Sequence, residues 1–512
     1  VVFTGAGSVT VNIVETEARA EIGADSNVST TGDVSLTADD NSVITADSGG
    51  VAITITTNDG DTAGAIGASV AVNDITQTIS ATATDTAISA VNFTATATNN
   101  SEIDTLTIAG SAAVSTGGDA FAGAGSGSRN YIASTTTAGV TNPGGIKNLT
   151  ATGDITVTAT DSSEIIADAG SGALSISTNM GDIGAIAVGA AGAENNITKT
   201  TTAQLQNVNA TGVNVGVSAN ATGTITAFTL GVAGALTNSG TLALAGAGSG
   251  SGNFITSNTT AIIDPSIVDA SGNVTVSATD ATDITATAGA VAVAINVDKG
   301  TNVGIGLGFA MAINEITSSA LAIIDDTTVD TDGAVTVTAS SIADINATAF
   351  GVAVSLTTSS DSTAVGVSGT VAVTLNTINN TTRAAIEDSV PGTVNTVTAG
   401  GAVALSATET GVIKADAVSV AASITIGMSS GASISGAIAA SVANNTINNT
   451  TEAIIDNIDV TETGNVGVTA SSTKAIDALV VAAAAGVSGG TGSGTSVALT
   501  GAGAGATNTT NN

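Results

Sequence analysis

The motif Asn-x-[Ile/Val] returns at Asn12, Asn73, Asn130, Asn195, Asn253, Asn314, Asn376 and Asn445, and Asn508 falls on the same period. Successive copies lie 57 to 69 residues apart, about 62 on average. A period this long and this regular restricts the fold to an array made by stacking one unit, because no single copy can close a core of its own.

A second motif, apolar-x-apolar-[Ser/Thr]-Ala, starts at Val34, Val91, Ile155, Val215, Val274, Val335, Val403 and Val466. An isoleucine follows at Ile44, Ile103, Ile165, Ile225, Ile284, Ile345, Ile413 and Ile476, 10 residues on in seven units and 12 in the second. Spacing that is nearly fixed between motifs and variable between units predicts strands held in register, with loops absorbing the length changes. Val34, Leu36 and Ala38 alternate with Ser35 and Thr37. Period-two alternation with β-branched enrichment predicts half-buried strands and very little helix.

These patterns predict an all-β fold, a parallel β-solenoid of eight repeats forming a single continuous array over residues 1–512. A unit of about 62 residues divides into about three coils of about 20, which would give a rod on the order of 115 Å at one strand spacing per coil, with two larger coils per unit as the alternative. The recurrent Ala of the second motif (Ala38, Ala95, Ala159, Ala219, Ala278, Ala339, Ala407, Ala470) is expected to narrow the core. The recurrent Asn, as at Asn73 or Asn314, suits a turn before the strand.

Composition limits the function. The chain has no cysteine and no histidine, which excludes disulfides, thiolate or imidazole metal sites and His-dependent catalysis within it. Its 8 basic and 42 acidic residues give a net charge of −34, which disfavours nucleic acid and anionic membranes. Apolar runs are broken by Gly, Ser and Asn, so no transmembrane helix is expected. Absence of an initiator Met at Val1 reads as a segment of a longer, exported chain.

Without aromatic platforms or clustered basic residues, no enzyme activity and no cofactor are expected. The acidic residues gather in two groups per repeat. Asp39, Asp40, Asp280, Asp283, Asp325 and Asp326 are the calcium candidates, with Asp264 beside the last pair in the same group. Calcium needs several converging oxygens, and no EF-hand loop is present, so a solvated repulsive surface is the expected role. The Ser/Thr column Thr37, Thr94, Thr158, Ser218, Ser277, Thr338, Ser406 and Thr469 faces outward and raises ice binding as an alternative, although once per unit would not be once per coil.

Two segments break the alternation. Residues 303–313, with Val303, Ile305, Leu307 and Phe309, and residues 417–426, with Val418, Val420, Ile424 and Ile426, are apolar or small on both faces. Either neighbouring coils cover them or they form side-by-side contacts between copies of the chain.

The unit GVSGTVAVTLNTINNTTRAAIEDS…GGAVALSATETGVIKADA, residues 366–417, resembles the repeats of giant bacterial surface proteins, the filamentous-haemagglutinin-like adhesins and leukotoxin or autotransporter-type exoproteins. The resemblance implies export to the cell surface, a right-handed parallel β-helix and an extended structural or adhesive role. It brings no catalytic residues. The expected function is an extracellular filament or stalk segment that self-associates laterally. The alternatives are an adhesin for a host surface or polysaccharide, a calcium-stiffened matrix protein, and an ice-binding face.

Overall fold

The computed structural model describes residues 1–511 apart from 179–182, 239, 391–394, 429–430 and 492. Among the described residues there are 26 strands and no helix. No helix is therefore long and apolar enough to cross a membrane. The strands form three parallel sheets of nine, nine and eight strands, so the chain is a parallel β-solenoid.

One coil illustrates the rest. A leading strand runs Leu242–Ile263, a short base strand Ile267–Ala270, and a trailing strand Val274–Asp298. The leading strand pairs with Gly184–Gln206 on one side and Asn302–Asp325 on the other, placing Asn253 opposite both Asn195 and Asn314. One repeat therefore advances the chain by one strand.

This corrects the expectation of three coils per repeat: each repeat is a single coil of about 60 residues. Long strands of 23 residues, such as Ile155–Ser177, span about 75 Å, and nine stacked strands rise only about 40 Å. The molecule is a broad, shallow slab, not a thin rod on the order of 115 Å. The second repeat is also re-registered. Phe93, not Val91, pairs with Val34 and Ile155, and Ala97, not Ala95, pairs with Ala38 and Ala159. The spacing from Phe93 to Ile103 then matches that from Ile155 to Ile165, and the anomalous second unit disappears.

The interior changes character along the coil. Near the base strand the core is made of large aliphatics, including Ile79, Ile88, Leu149, Ile155, Leu205 and Ile263. The recurrent Ala38 and Ala159 column belongs to this wide end. Toward the opposite rim, the inward residues shrink to Ala, Gly and Ser, and the two long sheets meet almost backbone to backbone. A Cβ added to Gly231 would stand 2.1 Å from the carbonyl oxygen of Gly248, and one on Gly67 would stand 2.0 Å from that of Gly110. Only glycine allows that approach, so the narrowing lies at the rim and not at the Ala38 column.

The recurrent asparagines are not turn residues. They lie inside the leading strands, and those of the inner coils, Asn73 to Asn445, are fully buried. Each donates its Nδ2 to the Oδ1 of the next: Asn195 to Asn253, Asn253 to Asn314 and Asn314 to Asn376, all at 2.8 Å. The ladder runs from Asn12 to Asn508. An amide satisfies itself in such a stack because it carries both a donor and an acceptor at the strand repeat. The isoleucine two residues on is also inward, so Asn-x-Ile is one turn of the pleat.

Candidate functional surfaces and the buried polar seam

Each long sheet has an outer face that divides into two halves. Near the rim the outward side chains are apolar: Ile66, Val188, Leu307, Phe309 and Ile438 on the leading strands, each between 45 and 65% exposed. On the trailing strands the same half carries Ile53, Ile108, Leu174, Val232, Val420, Ile424 and Ile426. Val303, Ile305, Leu307 and Phe309 all point out of the leading sheet, and Val418, Val420, Ile424 and Ile426 out of the trailing sheet. Neighbouring coils do not cover them, because adjacent coils lie beside them in the same sheet.

The charge distribution follows the same division. Residues 243–252, 304–313 and 366–375 of the leading strands and 170–177, 289–296 and 418–425 of the trailing strands contain no charged residue. Arg129 and Glu194, which do fall in this half, stand opposite each other in register on neighbouring coils. Toward the base the outward side chains become hydroxyls, amides and carboxylates, such as Glu102, Glu164, Asp283 and Asp344 on the trailing sheet.

At the base end of the trailing sheet the hydroxyls form rows. Thr94, Thr96 and Thr98 pair with Thr156, Thr158 and Thr160, and Thr275, Ser277 and Thr279 pair with Thr336, Thr338 and Ser340. With one coil per repeat, this column recurs once per coil, at strand spacing. In the second unit the member is Thr96, with Thr94 two residues away in the adjacent column.

A polar seam crosses the core between these halves. Its leading side is the row Gln77, Ser134, Lys199, Ser257, Ser318 and Asn380. Its trailing side is Asn99, Asp161, Ala221, Asp280, Ser341 and Glu409. Asp161 is fully buried and accepts four hydrogen bonds, at Oδ2 from Asn99 (3.0 Å), Ser134 (2.7 Å) and Thr136 (3.0 Å), and at Oδ1 from Ser163 (2.8 Å). Asp280 accepts at Oδ2 from Ser257 and, at 2.8 Å, from Thr259. Glu409 is held by Asn449 and Ser472, and burial raises its pKa.

Lys199 is fully buried between these carboxylates. Its own coil leaves it room: the facing positions are Ala221 and Gly223, and Nζ stands 3.1 Å from where a Cβ on Gly223 would be. Removal from water lowers the Lys199 pKa against the opposing pull of Asp161 and Asp280. In the aligned repeats Lys199 stands in an inward column where the neighbouring coils carry Ser, opposite Ala221 and Gly223 where the preceding coil carries Asp161 and Ser163.

The calcium candidates separate. Asp39 points outward and Asp40 inward, where it hydrogen-bonds Gln77 and Ser42. Asp283 is exposed, whereas Asp280 is in the core, which corrects its assignment to the solvated surface. Neither pair can share an ion, because consecutive odd and even positions face opposite sides of a strand. Asp325 and Asp326 do converge with Asp264 at the corner before the base strand, with carboxylate oxygens within 4.8 Å of one another. Burial, then the charges of Asp325 and Asp326, push the Asp264 carboxyl up to about 6.

Comparison of the chain with protein-family models, with curated proteins and with solved structures finds no match to any of them.

Proposed function

We propose that this chain is a rigid structural segment of an extracellular β-solenoid of the kind its repeats resemble, and that it packs side by side with further copies through its apolar rim half. The observation that carries this reading is the pairing of aliphatic outer strand faces in the rim half of both long sheets with acidic residues on the base half and at the rim turns, where Asp59, Asp61, Asp119, Asp298 and Asp361 lie. Parallel sheets are ordinarily covered on both faces, and contiguous exposed apolar area marks a contact surface. Repulsion between the acidic base halves and between the acidic rim turns confines the contact to the apolar strand faces: copies meet face to face over the rim half. Leu307, Phe309, Val371 and Ile438 line a shallow groove on the leading face that suits the aliphatic ridge of a second copy. Sedimentation velocity of the wild-type chain and of a Phe309→Asp, Ile438→Asp double variant tests this. Concentration-dependent assembly that the double variant abolishes supports the reading, and a wild-type chain that stays monomeric at high concentration refutes it.

A second reading rests on the hydroxyl rows. Rows of Thr and Ser once per coil, two residues apart along the strand, form a grid of about 4.8 by about 6.7 Å. Such a grid suits an ordered, hydroxyl-rich or water lattice, either a polysaccharide or the prism face of ice. Inhibition of ice recrystallisation that is lost in a Thr158→Tyr, Thr338→Tyr variant would favour ice, and no inhibition by the wild-type chain would remove that form of the reading.

A further inference from the structure

Three side-chain atoms of the polar seam are buried with no hydrogen-bond partner, Lys199 Nζ, Asp280 Oδ1 and Asn380 Nδ2, and of these residues Lys199 and Asp280 can react with each other. They belong to adjacent coils. Ala221, which faces Lys199 in its own coil, pairs in register with Asp280, so the two residue positions are separated along the axis by about one strand spacing, about 4.8 Å. A four-carbon side chain is long enough to span that gap, and its amine lies beside Gly223, 3.1 Å from where a Cβ there would stand.

We propose that Lys199 and Asp280 are joined by an amide bond between Nζ and Cγ. The lysine amine attacks the side-chain carboxyl carbon, Oδ1 leaves, and one molecule of water is released, made from that oxygen with one amine hydrogen and the carboxyl hydrogen. No oxidant, reductant or other reactant is needed. Two of the three unpartnered atoms are those that the reaction changes: the neutral amine becomes an amide nitrogen and the free carboxyl oxygen departs.

The neighbours select Asp280 over Asp161. Both oxygens of Asp161 are already taken by four donors, whereas Asp280 accepts at Oδ2 from Ser257 and Thr259, with the Ser318 hydroxyl also beside its carboxyl, and Oδ1 has no hydrogen-bond partner. Burial acts in the required direction on both partners. It lowers the lysine pKa toward the neutral, nucleophilic amine and raises that of Asp280 toward the protonated acid. The bond would tie the leading sheet of one coil to the trailing sheet of the next, across the core.

Intact-mass measurement of the folded chain, with peptide mapping, tests this. The expected result is a mass lower than that of the sequence by one water, a branched peptide joining Lys199 to Asp280, and full sequence mass in a Lys199→Met variant. A wild-type chain at full sequence mass, with both residues recovered in linear peptides, overturns the proposal. So does a water loss that maps elsewhere. The wild-type mass and peptide map decide the matter even where the variant does not fold.

Discussion

Asn253 donates its side-chain amide to Asn314, 61 residues later, across 2.8 Å of buried core. The same bond repeats along the whole stack, so each inner asparagine both accepts from the coil before it and donates to the coil after. Removing one member leaves a donor on one side and an acceptor on the other, both without water. At about 1–3 kcal/mol for each such orphan, Asn253→Ala should cost about 2–6 kcal/mol. Chemical denaturation against wild type measures it; a loss well under about 1 kcal/mol would mean the ladder is incidental.

At the rim, the two long sheets are separated by less than a side chain. Gly231→Val would force its side chain into the carbonyl of Gly248, and overpacking of this kind costs about 1–3 kcal/mol or more. Gly170, on the outer side of the same sheet, has nothing within 4 Å, so Gly170→Ala should leave stability unchanged or slightly raised. The pair of variants, compared by thermal unfolding, separates a steric requirement from a general preference for glycine.

The corner carboxylates make stability depend on pH. Asp264 titrates near 6 in the folded chain, above its unfolded value of about 3.9. Its folded form therefore binds the extra proton between those values. The stabilisation is fully present below about pH 4 and is lost as pH rises through about 6, where three carboxylates face one another. Asp264→Asn should raise the melting temperature at about pH 7.5 and leave it nearly unchanged at about pH 4. Equal effects at both values would contradict the cluster.

Much of this fold was legible in the sequence, because strict stacking forces equivalent positions to carry similar residues. The strand class, the parallel array and the inward alternation of Val34, Leu36 and Ala38 all follow from period two. The coil count did not. Inward Ser249, Ser251 and Gly306 look like loop residues in sequence, so strands of more than 20 residues read as several short ones. The role of asparagine was misread for a related reason: a buried amide is costly in isolation and becomes stable only when its copies lie one strand apart, a relation that the number of coils decides. Asp280 and Asp283 are three residues apart and look equivalent, yet parity along the strand sends one into the core and the other into solvent. Lys199 could have been singled out by aligning repeats, since Gly223 and Ala221 replace Ser and Asp opposite it.

One repeat per coil is the relationship on which the ladder, the rim, the hydroxyl rows and the seam all depend. The chain has no cysteine, so spin labels can be placed at Thr78 and Thr450, both exposed members of one outward column on the leading strands. Pairing through Thr135, Thr200, Asn258, Ser319 and Thr381 separates them by six strand spacings. Pulsed dipolar spectroscopy should give a narrow distribution near about 30 Å. A distance near about 85 Å would mean three coils per repeat and would contradict the account.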